Sequence, residues 1–147
     1  MPAQVAIVGS GVFAEAAYLP ALAEVTKDVT LHTIWSRSQK SAEKLHSAAQ
    51  SLSSSIALEH GEDGLQRVLD NKEIDGVMIV LPITAQPEIV IRCLEAGKHV
   101  LSEKPIGKDI QTARKLVEEY EKRFAPKGLI WRVAESELIR QGRVRGL

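Results

Sequence analysis

The residues best suited to chemistry near the start of the chain are Gly9-Ser10-Gly11-Val12-Phe13-Ala14, a G-x-G-x-x-A sequence. Three small residues at these offsets have separate tasks in a turn that cradles a pyrophosphate. Gly9 permits a tight turn, Gly11 lets the backbone approach the phosphates, and Ala14 lets a helix pack close to a strand. A helix opening at Val12 and Phe13 would offer free N–H groups and a partial positive charge to the anion. The same residues would also serve a purely structural glycine turn. A dinucleotide site further calls for an acidic residue at the end of the second strand, to hold the adenosine ribose. This chain has Ser36-Arg37-Ser38 there. A carboxylate would repel a 2′-phosphate, whereas Arg37 and the two hydroxyls can bind it. NADP(H) is therefore the expected cofactor. NAD(H) stays open, and so does Arg37 as a solvated charge.

These residues need a scaffold, and the pattern supplies one. Apolar runs alternate with segments of helical period, which predicts an α/β fold: a doubly wound parallel sheet of the Rossmann type. Residues 4–8 read as a strand that stops at Gly9 and leads into a helix over residues 12–25, kinked or split by Pro20. Residues 29–35 read as the second strand, 41–50 as a helix, 56–59 as a weak third strand and 64–69 as a short helix. Val77-Met78-Ile79-Val80-Leu81 is the strongest strand, five apolar residues suited to cover on both faces. Pro87 fits the first position of the next helix, Ile89, Val90, Cys93 and Leu94 form its apolar stripe, and Gly97 closes it. Residues 99–102 give a fifth strand. Asp109 can cap a helix whose Ile110, Ala113, Leu116, Val117, Tyr120 and Phe124 share one side. Residues 128–133 are the last strand.

Composition narrows the function classes. The chain has 147 residues, enough for one domain with a real core. Nineteen basic residues balance nineteen acidic ones, so net charge gives no reason to expect a nucleic-acid or membrane partner. The single cysteine, Cys93, allows no intrachain disulfide and fits a reducing compartment. No signal-like start and no run of membrane-spanning length is present, so a cytoplasmic location is expected. His32, His46, His60 and His99 lack metal-ligand spacing, and His60 with Glu59, Glu62 and Asp63 reads as a polar loop. Cys93 reads as a core residue. Trp35 and Trp131 read as packing residues, Trp35 being also within reach of an adenine.

A second motif is more specific. Glu95-Ala-Gly-Lys-His-Val-Leu-Ser-Glu103-Lys104-Pro105 follows the fourth strand and its helix, and Leu19-Pro20-Ala21-Leu22 breaks the first helix. Both runs, with their spacing from the glycine turn, resemble the signature of the glucose-fructose oxidoreductase/inositol dehydrogenase (Gfo/Idh/MocA) family over nearly the whole chain. The resemblance implies an NAD(P)-dependent oxidoreductase in which Lys104 sits by the nicotinamide and a small-molecule substrate, with Pro105 in a cis peptide that aims the lysine. Glu103, Lys104 and Pro105 then join Gly9, Gly11, Val12, Phe13, Ala14, Ser36, Arg37, Leu81 and Pro82 as candidate cofactor-binding residues, and Lys104 is the candidate catalytic residue. A lysine there could polarise a carbonyl or hydroxyl oxygen, or donate a proton if burial lowered its pKa. Its bland alternative is a surface lysine paired with Glu103. The family's T-P-N-x-x-H passage is here Leu81-Pro82-Ile83-Thr84-Ala85-Gln86, which keeps the proline and loses the amide and the imidazole.

The resemblance also implies a second domain carrying the substrate pocket, an Asp-and-His pair and the oligomer interface. The expectation is a dinucleotide-binding domain over residues 1–134 and a short remnant over 135–147. Within that remnant Glu137 to Leu147 resembles a passage that normally comes somewhat later, as after an internal deletion. Two functions follow: an oxidoreductase, or a catalytically silent dinucleotide-binding regulator or pathway protein using the cleft for non-redox chemistry. Either could pair with a second copy or a full-length paralogue.

Overall fold

The computed structural model describes residues 1–135. Six apolar-rich segments form strands β1 (Ala3–Val8), β2 (Val29–Ser36), β3 (Ala57–His60), β4 (Gly76–Ile79), β5 (His99–Glu103) and β6 (Trp131–Ala134). Between them lie helices α1 (Leu19–Glu24), α2 (Gln39–Ala49), α3 (Gly61–Asp70), α4 (Gln86–Glu95) and α5 (Ile110–Arg123). The strands make one sheet in the order β3-β2-β1-β4-β5-β6, and every neighbouring pair is parallel. This is the doubly wound order, whose strand sequence reverses direction beside β1 and β4.

The central strand shows how the pattern works. Side chains alternate across a strand. Val5 and Ile7 therefore join Tyr18, Leu19, Leu22, Leu31, Ile34 and Leu45 in the core beneath α1 and α2. Ala6 and Val8 face the other way, into the core shared by α3, α4 and α5 with Leu65, Val68, Ile89, Cys93, Leu94 and Leu116. Each fully buried Leu or Ile contributes roughly 1.5–3 kcal/mol of transfer free energy, so one apolar strand anchors both layers and fixes the position of the turn at its end.

Local chemistry sets the helix limits. The Ser38 hydroxyl accepts from the Ser41 N–H at the start of α2, and the Asp109 carboxylate accepts from the Thr112 N–H at the start of α5. Gly97, at φ +78°, ends α4 in the left-handed region.

Several boundaries differ from the sequence reading. β4 stops at Ile79, and although the Val80 N–H still bonds to the Val8 carbonyl, Leu81 lies beyond the strand. α4 opens at Gln86, so Pro87 occupies its second position. Ile110 does not share the apolar side of α5: it is 78% exposed, since the first residue after the Asp109 cap precedes the turn that packs on the sheet. β6 begins at Trp131, three residues later than expected, because Ala125–Lys127 forms a 3-10 turn closed by Gly128 at φ +77°. The reading of Glu137 to Leu147 falls outside the described residues.

The first helix has an unexpected form. Ala14–Tyr18 is a π-helical turn that runs directly into α1. The Leu19 N–H reaches back to the Ala14 carbonyl, five residues away. Pro20 follows immediately and has no N–H to donate, so a regular ladder would leave a carbonyl without its partner here. The wide turn takes up one extra residue and turns those that follow by about 100° around the helix axis.

Candidate functional site

At the carboxyl end of β1 the chain turns at Gly9, whose φ of +115° suits only glycine. Its N–H donates to the Trp35 carbonyl at 2.9 Å, and its Cα is pressed against the carbonyl of Val80. Gly11 is different. A Cβ there would meet nothing within 4 Å, so it faces open space where the helix begins. The Gly11 carbonyl accepts from the Ala14 N–H at 3.1 Å, while Val12 and Phe13, in the first turn, are 77% and 54% exposed. First-turn N–H groups of a helix have no intrahelical acceptor. Ala14 is fully buried, and its methyl group is all that the contact between helix and sheet accommodates.

Arg37 follows β2 and is exposed, Ser36 is buried at the strand end, and Ser38 is the α2 cap. Beside them lies a hollow of about 260 Å³ between β2, α3 and α4, lined among others by Trp35, Arg37, Leu81, Glu62 and Arg92. Trp35 is fixed in its wall by an indole N–H that donates to the Gly61 carbonyl at 2.8 Å. Arg92 pairs with Glu62 at 2.5 Å, and this partner holds the Glu62 carboxyl below its ordinary range. Glu59 is likewise taken up by Arg67 at 2.6 Å. Glu59 and Glu62 thus serve as ion-pair partners, and the segment expected as a polar loop is the end of β3 and the first turn of α3. Among the described residues no group of three or more His, Cys, Asp and Glu is arranged to hold a metal.

Glu103-Lys104-Pro105 leaves the carboxyl end of β5 on the same side of the sheet, and the Lys104–Pro105 peptide is cis. Lys104 is not buried. Nor is it the surface partner of Glu103. Oε1 of Glu103 accepts from the Tyr18 hydroxyl at 2.5 Å, and no ion pair among the described residues includes Lys104. Burial, followed by the hydrogen bond to Glu103, pushes the Tyr18 phenol well above its ordinary range. It remains a donor at neutral pH.

Leu81 is half-buried and Pro82 and Ile83 are exposed in the loop after β4. Gln86, which stands in the imidazole position of the resembled motif, is 1% exposed. Its amide nitrogen lies 3.5 Å from the Pro105 carbonyl oxygen, and its Oε1 has no partner. Cys93 is buried and its thiol is pushed up to about 12 by desolvation, which excludes a thiolate nucleophile at neutral pH.

The fold therefore gathers the glycine turn, the Arg37 loop, the Leu81-Pro82 loop and the Lys104 loop at the carboxyl edge of the strands, where doubly wound sheets bind ligands. Tyr18 and Arg92 were not singled out from sequence. The apolar pattern marks Tyr18 only as a helix residue, and Glu103 lies 85 positions away. No helix among the described residues is long and apolar enough to cross a membrane.

Residues 3–125 match the family described as an oxidoreductase family with an NAD-binding Rossmann fold, GFO_IDH_MocA. The chain is 36% identical over 134 residues to the dehydrogenase FPY6 of Fusarium mangiferae, covering 90% of this chain and 38% of that protein. It is 32% identical over 120 residues to a dTDP-3,4-didehydro-2,6-dideoxy-alpha-D-glucose 3-reductase of Actinomadura kijaniata, covering 78% of this chain and 32% of the reductase. Among solved structures, an oxidoreductase from Thermotoga maritima superimposes with a TM-score of 0.77 at 26% identity, over 98% of this chain and 44% of that one. A 3-ketoreductase from Actinomadura kijaniata in complex with NADP gives 0.72 at 28% identity, over 90% and 38%. The chain thus spans well under half the length of these relatives.

Proposed function

This chain belongs to the GFO_IDH_MocA oxidoreductase family, and from that premise we propose that it binds NADP(H) for hydride transfer to or from a carbonyl or alcohol carbon of a small-molecule substrate. The observation that carries the reading is the glycine turn, whose Gly11 faces open space at the start of a helix, across the sheet end from Lys104. A Cβ would fill that space with carbon, whereas a pyrophosphate would meet the first-turn N–H groups of Val12 and Phe13. In this reading the dinucleotide-binding unit runs over residues 1–134.

Arg37 supports the choice of NADP(H) over NAD(H). It is exposed beside a neutral, hydroxyl-bearing strand end, and its planar fork suits a 2′-phosphate. The hollow bounded by Trp35, Arg37 and Leu81 offers the adenine an apolar wall. The bound dinucleotide supplies a hydride donor or acceptor at its nicotinamide ring. Lys104 is the group this chain offers to the substrate oxygen: its ammonium donates a hydrogen bond where negative charge develops, and it can hold or release the proton of the alcohol. Glu103 is turned towards Tyr18, whose hydroxyl donates to its Oε1.

The test is NADPH consumption with a panel of sugars, polyols and small aldehydes, comparing the chain with Lys104→Ala. Loss of a general acid or oxyanion donor costs about 10²–10⁴-fold in rate, and a fall of that size is expected. Turnover unaffected by Lys104→Ala would remove the lysine from the chemistry. Binding without turnover of any compound would leave the silent dinucleotide-binding protein as the better reading.

A further inference from the structure

Lys104 can act on a substrate only if its ammonium is not already paired, and its immediate neighbour is a carboxylate. Adjacent Glu and Lys side chains at the exposed end of a strand are free to meet as the chain leaves the sheet. Here they do not: Oε1 of Glu103 accepts from the Tyr18 hydroxyl at 2.5 Å, and no ion pair among the described residues includes Lys104. Tyr18 is 8% exposed, so its ring is fixed in the core and its hydroxyl has a defined direction. Two features fix the ring. It meets Phe13 edge to face, with centroids 6.0 Å apart, and it lies at the end of the π-helical turn Ala14–Tyr18. In a regular helix, without the extra residue of that turn, Tyr18 would face about 100° away. The turn that opens at the glycine motif thus presents a phenol to the motif carrying the lysine.

We propose that Tyr18 is a positioning residue for Lys104, holding the Glu103 carboxylate away from the lysine so that the ammonium stays available to the cofactor and substrate side of the cleft. This rests on the reading that Lys104 stands beside the nicotinamide. Removing the hydroxyl frees a charged carboxylate one residue from Lys104, and that carboxylate captures the ammonium. The interaction also joins the helix of the phosphate turn to the end of β5 through one hydrogen bond.

The test uses the full chain with its lysines reductively ¹³C-methylated, which keeps their charge, and the Lys104 resonance identified by its absence in Lys104→Arg. Saturating NADPH is expected to shift that resonance in the wild-type chain. In Tyr18→Phe the shift should fall at least threefold, while NADPH affinity changes by less than threefold. Glu103→Asp, too short to reach the phenol but still charged, should show the same loss, and it serves as the independent variant if Tyr18→Phe does not fold. The double variant Tyr18→Phe/Glu103→Gln should recover the wild-type shift, because a glutamine cannot capture the ammonium. An undiminished shift in either single variant, or failure of the double variant to recover it, would overturn the proposal alone. No NADPH-dependent shift in a wild-type chain that binds NADPH would overturn the reading of Lys104, and the proposal with it.

Discussion

Gly9 lies against the backbone of Val80 so closely that a Cβ built on the glycine would stand 2.1 Å from the Val80 carbonyl oxygen. The first glycine of the motif is thus held by the fold itself, through a left-handed φ of +115° and contact with the loop after β4. A Cβ on Gly11 would meet no protein atom within 4 Å. The two glycines therefore separate experimentally. Gly9→Ala should destabilise the chain by about 3 kcal/mol, the size expected of backbone strain combined with a steric clash, measured by urea unfolding. Gly11→Val should change stability by less than about 1 kcal/mol and weaken NADPH binding at least tenfold. Equal effects of the two substitutions on stability would contradict this division.

Arg37 gives the second expectation. Hydrogen bonds to a charged group are worth about 1.5–3 kcal/mol, which corresponds to roughly 10–150-fold in affinity. Arg37→Asp should raise the dissociation constant for NADPH by a factor in that range and leave that for NADH nearly unchanged. A parallel loss for both nucleotides would mean that Arg37 does not meet the 2′-phosphate.

Cys93 makes a pH-dependent contribution whose sign is fixed by its burial. Its thiol is raised from 9.0 to about 12 in the folded chain. The folded state thus holds its proton where the unfolded state has lost it. The stability from Cys93 is complete below pH 9 and declines as pH rises from there towards about 12, by at most about 1.4 kcal/mol per pH unit. Between these limits unfolding free energy should fall less steeply in Cys93→Ala than in the parent chain. Identical slopes would show that the thiol is not desolvated. Native Cys93 should also resist a disulfide-exchange reagent at pH 8 and react on unfolding.

Lys98 is a fourth case, a lysine used for structure. Its ammonium donates to the Asn71 and Ile74 carbonyls at 2.5 and 2.7 Å, and the residue is 3% exposed. Lys98→Met keeps the stem and leaves the Ile74 carbonyl without a donor, at a cost of about 1–3 kcal/mol, while the Asn71 carbonyl keeps the Ile74 N–H. A thermal or urea midpoint within error of the parent would refute this role.

Much of the fold was legible because it rests on local patterns. The alternation of apolar strands and periodic helices, the Asp109 cap and the Gly97 terminus all depend on residues a few positions apart, and each is present. The end of β4 was misjudged because its apolar run continues past the strand, and the start of β6 because apolarity does not reveal the 3-10 turn closed by Gly128. Ile110 was misread for a related reason: helical period places residues on a face but not against a neighbour. Of the site, the glycine turn and the Glu103-Lys104-Pro105 run could be read as motifs. The Tyr18–Glu103 bond could not, since it depends on a π-helical turn beside Pro20 and on strands brought together by the whole sheet.

The most direct measurement is a titration of the purified, folded chain with NADPH and NADH, followed by nicotinamide fluorescence. Binding of NADPH, at least tenfold tighter than NADH and lost in Gly11→Val, is the expected result. A folded chain that binds neither nucleotide would contradict the central claim that the turn at Gly11 holds a dinucleotide.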